Sequence, residues 1–415
     1  MKRIFSNTYR VILTLSLFIP AIAFGQGGSN YSIFGVGDRV YSMGAGYESF
    51  GNTQIANTMA TGINIQNPAA WSFADKTRLQ AGFRFNQIAT NNATISGSQN
   101  NGKMDGIGVL FNVDTTKGFS IALGITPYSN VNYAIYTPVS VTLDGSSSLG
   151  GITNTSGRGG ITQVFAGASY KIFDGLRAGA SILGLFGTIN TSISTQIYTT
   201  NALSSEINRR DAVSGGGVHA GLMFTPAKNL TIGVAGSFYS SLDISTAQRS
   251  ISLGSIRIGD TTAQFTSATP MPSTIGLGIS YRSGKFLFGT DILLTDFSSL
   301  SYREGKSNYT SGQRVTFGIS RLGTFAPGTS FGDRINFNMG GGYETLPFTV
   351  KNQTIADIFL TAGMELPITT DALLGIAFSG GQRGTTDNGL VKEMFARFTV
   401  SVTINEIWFQ PFARE

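Results

Sequence analysis

From Thr77 onward the chain alternates apolar and polar side chains with a period of two, the rhythm of β-strands. Beyond the first 25 residues, no run approaches the roughly 20 apolar residues that a membrane helix requires. In residues 77–86, Leu79, Ala81, Phe83 and Phe85 share one face, while Arg78, Gln80, Gly82, Arg84 and Asn86 share the other. The same alternation returns in residues 275–282, 334–339 and 394–402. A soluble sandwich alternates too, with its apolar face inward. Two features favour a closed barrel in a bilayer. The polar face is rich in Gly, Ser, Thr and Asn with isolated Arg, as suits a packed or wet lumen, and the connections alternate short and long. Composition agrees, since only 13% of residues are charged, against about 25% in soluble domains.

Short turns fall near residues 114–117, 173–175, 226–229, 282–285 and 367–371, and long polar loops near 91–103, 143–159, 190–211, 244–269 and 298–312. The linker 323–332 is long where a short turn is due. This punctuation predicts an all-β antiparallel transmembrane barrel of about 14 strands, an even count that returns the chain to the side it entered. Short turns then face the periplasm. Pro127 lies inside the third strand, where it cannot donate to the ladder. It marks a bulge, an interruption or an early strand end.

Ahead of the barrel, Lys2, Arg3 and Arg10 precede a short apolar stretch ending in small residues, so residues 1–25 read as a cleaved signal peptide. Residues 26–76 are dense in glycine yet carry Ile33, Phe34, Val36, Met43, Phe50, Ile55, Met59, Ile63, Ile65 and Trp71. Apolar surface of this extent seeks burial. A hatch folded into the lumen supplies it, with a small periplasmic subdomain or an extra strand pair as alternatives. The barrel itself spans 77–415.

The run Gly35, Gly37, Asp38 and Arg39, then Gly44 and Gly46, then Asn67, Pro68 and Ala69, resembles the N-terminal hatch of the FadL-like family of outer-membrane transport barrels. Residues 270–281, with Asp291 and Phe297 beyond them, look like that family's mid-barrel pattern. The resemblance implies passive uptake of small hydrophobic molecules such as long-chain fatty acids, by capture outside, passage into the lumen and movement of the hatch or opening of the wall. Pro127 is the candidate for a lateral opening. Related barrels with a similar hatch assist protein secretion, so a barrel that binds exported proteins is the alternative. The partners implied are outer-membrane lipid and a hydrophobic small molecule.

Signals for chemistry are sparse. The single histidine, His219, should face the lumen, together with Arg78, Arg84, Arg282, Asp291, Arg314 and Arg334. These polar groups either tune a pore or pair with one another and with the hatch. One His and no Cys cannot build a zinc site, and no nucleophile–base constellation is visible, which makes an enzyme the third reading. No cofactor is expected. Lys and Arg are scattered without a cluster, so nucleic acid is not a partner. Tyr128, Tyr133, Tyr136, Tyr239, Phe297 and Tyr302 fall near outer strand ends and read as an interfacial girdle rather than a ligand cluster.

Overall fold

The computed structural model describes residues 28–408 except 60, 92–95, 144–146, 199–202, 254–257, 304, 306 and 325–327. The expected signal peptide lies outside the described residues. Fourteen antiparallel strands close on themselves. The first six are β1 (Thr77–Asn91), β2 (Ser96–Asp114), β3 (Phe119–Leu143), β4 (Ser147–Phe173), β5 (Leu176–Ile197) and β6 (Leu203–Ala227). Two strands are each broken once: β7 comprises Leu230–Tyr239 and Leu242–Leu253, and β8 comprises Ile258–Thr269 and Thr274–Ser283. Then come β9 (Phe286–Asp296) and β10 (Ser311–Arg321, preceded by Ser307–Tyr309). The last four are β11 (Asn336–Val350), β12 (Gln353–Pro367), β13 (Ala372–Arg383) and β14 (Lys392–Glu406). Pairing of β14 with β1, from Lys392 opposite Asn91 to Glu406 opposite Thr77, removes the sheet edges.

Alternation decides which way each side chain points. Leu79, Phe83, Leu277, Phe317 and Phe378 stand outward and exposed, and Ile182 and Leu360 are each 68% exposed. A closed sheet with such a belt of large apolar side chains is stable only against hydrocarbon, so the barrel spans a bilayer. The intervening Arg78, Gln80, Arg84, Thr316, Asn338 and Thr399 point inward and are buried.

Several stretches expected as long loops are strands instead. β2 to β8 continue to Ser96, Leu143, Ser147, Ile197, Leu203, Leu253 and Ile258. Polar residues dominate both faces of these extensions, since water replaces lipid outside, and this hides the alternation while backbone pairing continues.

Residues 28–75 fill the lumen, descending from the outer end to the periplasmic end, and include a short helix, α1 (Ala45–Ser49). The wall makes room with inward glycines. A Cβ on Gly233 would sit 2.1 Å from the Ile55 carbonyl oxygen, and one on Gly318 would sit 2.5 Å from that of Phe50. Trp71 stacks on Phe165 with ring centroids 6.1 Å apart, and its indole N–H donates to the Asn64 carbonyl at 2.7 Å.

Candidate functional site

Pro127 marks a fault in the wall. The ladder between β2 and β3 runs from Asp114 and Phe119 only as far as Ile107 opposite Ile125. Beyond that, β3 keeps its pairing with β4 through a register shift between Pro127 and Ser129. The strand thus continues through a bulge, and the extra residue resets its phase. Ile121 and Leu123 face out before the bulge, whereas Val131 and Tyr133 are buried inside after it.

The edge of β3 left free by β2 is taken by the hatch. Asp38 lies opposite Asn130 and Arg39 opposite Ser129 in an antiparallel register, and the Val40 N–H donates to the Tyr128 carbonyl at 3.0 Å. Gly37 permits this approach. Its φ is +90°, and a Cβ there would lie 2.5 Å from the Asn130 carbonyl oxygen. Between β2 and β3 the fault opens a cleft of about 630 Å³, lined by Met104, Ile125, Pro127, Ile161 and Phe186 among others. Side chains stitch it where the ladder is missing. Lys103 Nζ donates to Asn130 Oδ1 at 2.9 Å and to the Gly159 carbonyl at 3.1 Å, and Gln99 Nε2 donates to the Ala134 carbonyl at 3.3 Å.

Inside the cleft lies an apolar cluster that includes Val36, Tyr128, Val131, Tyr133, Ile161, Leu185, Phe297 and Tyr302. Ile161 belongs both to this cluster and to the cleft lining, so the two meet at its buried side chain. The expected aromatic girdle is corrected here. Tyr128, Tyr133, Phe297 and Tyr302 are buried in the lumen, Tyr239 packs against them, and only Tyr136 of the six is exposed. The bulge turns Tyr133 inward, and Phe297 and Tyr302 lie on a loop that folds inward rather than on a strand.

Among the described residues, the hatch packs closely against the wall away from the cleft. The space between the hatch and the wall opposite the cleft, lined by Arg39, Arg314 and Arg383 among others, amounts to about 60 Å³, below the roughly 150 Å³ of an engineered cavity that admits benzene. Buried charges bolt this region together. Arg383 bridges Asp38 and Asp357 at 2.7 Å each, and Arg84 bridges Glu48 at 2.9 Å and Asp105 at 2.7 Å. Arg314 pairs with Glu344, which also accepts the Tyr41 hydroxyl at 2.5 Å. Asp291 accepts the backbone N–H groups of Gln54 at 2.5 Å and Ile55 at 2.9 Å.

The remaining hatch residues are placed by backbone demands. Gly35 and Gly44 have φ of +55° and +85°, and the Gly44 N–H donates to Asp105 Oδ2 at 2.7 Å. Gly46 lies within α1 against Glu365. Asn67 caps the turn Pro68–Phe73: its Oδ1 accepts the Ala69 N–H at 3.0 Å, and Pro68 opens the helical turn. Arg78 donates to the Gly62 carbonyl at 3.0 Å, and His219 Nε2 lies 3.0 Å from that of Gln66.

Two residues expected in the lumen are elsewhere. Arg282, still paired with Leu287 at the end of β8, is exposed beside the periplasmic turn and donates to the Gly284 carbonyl. Arg334 ends the short helix Phe331–Arg334 and donates to the Thr329 carbonyl, so strand parity does not apply to it. Glu48, Lys103, Asp105, Glu344, Asp357, Arg383 and Arg397 were not singled out from sequence. Two of the pairs were accessible in principle, since Arg314 faces Glu344 and Asp357 faces Arg383 across adjacent strands.

Fold and site together define a transmembrane barrel of 14 strands, filled by an N-terminal hatch and breached on one side. The chain belongs to the BamG family, whose model matches residues 7–412. Among solved structures it is similar to the Ralstonia pickettii toluene transporter TbuX, with a TM-score of 0.64 and 14% identity over 88% of this chain and 99% of that one. The Pseudomonas putida toluene transporter TodX aligns with a TM-score of 0.59 and 14% identity, over 89% of this chain and 99% of that one. A Pseudomonas aeruginosa FadL homologue aligns with a TM-score of 0.60 and 12% identity, over 90% of this chain and all (100%) of that one. At such identities the likeness concerns the fold, that of FadL-like barrels. No curated protein matches the chain.

Proposed function

We propose that the protein carries small hydrophobic molecules, long-chain fatty acids among them, passively across the outer membrane and releases them sideways through the cleft at Pro127. One observation carries this reading: the wall fault opens a 630 Å³ cleft that meets the apolar lumenal cluster at the side chain of Ile161, whereas the space between hatch and opposite wall is only about 60 Å³. An apolar molecule gains roughly 25 cal/mol for each Å² it removes from water. The cluster supplies such burial from the outer side, and the cleft leads on to lipid without a second passage through water. The toluene transporters of the same fold support the hydrophobic class of cargo.

The test is uptake by liposomes containing the full chain, with a labelled fatty acid and labelled toluene as cargo. Faster entry than into protein-free liposomes, slowed by closing the cleft, is expected. Entry no faster than into protein-free liposomes for both cargoes refutes the proposal.

A further inference from the structure

Outside the cleft, on the outer surface of the wall, lies a basic hollow that the transport reading does not use. Strand phase places Arg158 of β4, Arg210 of β6 and Arg249 of β7 outward, because Ile161, Ile189, Asp211, Val213 and Ile244 on these strands and β5 are the buried inward residues. Register brings them together: Arg158 lies opposite Asn190, Asn190 opposite Arg210, and Arg249 opposite Asn208, two residues from Arg210. Arg158 and Arg210 are thus two strands apart, about 10 Å. The hollow is an open depression of about 400 Å³ whose lining, with Ser156, Ser192 and Thr262, contains no carboxylate, although the Asn208 amide donates to neighbouring Glu206 at 2.7 Å. Arg249 is paired with Asp260 at 2.7 Å. Among the described residues, neither Arg158 nor Arg210 has a hydrogen-bond or ion-pair partner, and both are exposed.

Height decides the occupant. Asn190, at the centre of the row, is four residues beyond Phe186, the last large apolar side chain facing out on β5. Four residues of tilted strand rise roughly 10 Å, which sets the arginines in the headgroup layer of the outer leaflet. Two unpaired guanidinium groups beside amide and hydroxyl donors match the oxygens of a phosphate.

We infer that this hollow binds the phosphate of a phosphorylated glycolipid of the outer leaflet, holding lipid beside the cleft mouth, where Phe186 lies. The inference rests on the outer-membrane reading but not on transport. For the test, the full chain in phosphatidylcholine nanodiscs is titrated with diphosphoryl lipid A and with its dephosphorylated form, and bound lipid is counted by native mass spectrometry. Arg158→Gln and Arg210→Gln are each expected to weaken binding of the phosphorylated lipid about fivefold, while Arg282→Gln leaves it unchanged. Folding of each variant is checked by heat-modifiable gel mobility, and uptake by the two patch variants should stay at the parent rate. Equal binding of the two lipid forms, or no loss in either patch variant, overturns the inference. Displacement of the lipid by inorganic phosphate at matched concentration also overturns it, since the ligand would then be a soluble anion.

Discussion

Arg39 of the hatch lies opposite Ser129 of β3 in an antiparallel pairing, on the edge that β2 would occupy in an unbroken wall. The hatch therefore completes the wall as well as filling the lumen, and any movement of it exposes the fault. Gly37→Val tests this. The valine would need a φ near +90° and a Cβ 2.5 Å from the Asn130 carbonyl, a conformation costing about 1–3 kcal/mol. Undocking of residues 38–39 is expected, read as faster hydrogen exchange at Val40 and raised liposome permeability.

Closing the fault should slow release. The chain has no Cys, so Lys103→Cys with Asn130→Cys can be bridged by a short bis-thiol reagent without side reactions. Fatty-acid transfer should fall on bridging and recover when a cleavable bridge is cut. Pro127→Val, which restores a backbone N–H, should act in the same direction, and unchanged uptake in both cases counts against lateral release.

Arg84 holds two buried carboxylates, Glu48 and Asp105. Arg84→Met should destabilise the folded barrel by about 3–5 kcal/mol, because it strands Asp105 and leaves Glu48 with Arg397 alone. The measurement is the midpoint of heat-modifiable gel mobility. Glu48→Gln is expected to cost less, since Arg84 retains Asp105.

Acid should weaken the hold on Glu48. Burial raises the Glu48 carboxyl, but Arg84 and Arg397 beside it pull harder and hold it below its ordinary value of 4.5. A carboxylate depressed in the folded state contributes its full stability above the unfolded value and loses it as pH falls through the folded one. The stability conferred by Glu48 should therefore persist at neutral pH and decline below about 4.5. Comparing parent and Glu48→Gln unfolding midpoints between pH 7 and 3 checks this: the gap should narrow with acid.

The inward glycines give a packing test. Gly233→Ala puts a methyl 2.1 Å from the Ile55 carbonyl and should cost about 1–3 kcal/mol as the hatch shifts. Gly97→Ala, with nothing within 4 Å, should leave the unfolding midpoint unchanged.

Much of the architecture was legible residue by residue. Leu79, Phe83 and Phe85 against Arg78, Gln80 and Arg84 told lipid from lumen because a strand offers two faces only. The extensions of β4 to β7 were misread as loops because polar residues dominate both faces there and little contrast remains. Tyr133 was assigned to the girdle because the bulge at Pro127, one of three readings the sequence left open there, reversed its phase. Arg334 failed for a related reason, since parity holds only where the chain is extended.

By itself, the sequence determined a membrane-spanning sheet of about 14 strands and an apolar, glycine-rich leader in need of burial, because solvent sorts alternating side chains locally. Only the tertiary structure decided where the wall is open, which charges meet and which stand alone. Arg158, Arg210 and Arg249 lie far apart along the chain and form no basic cluster there. They become neighbours because strand register, a property of the closed sheet as a whole, sets residues distant in sequence side by side.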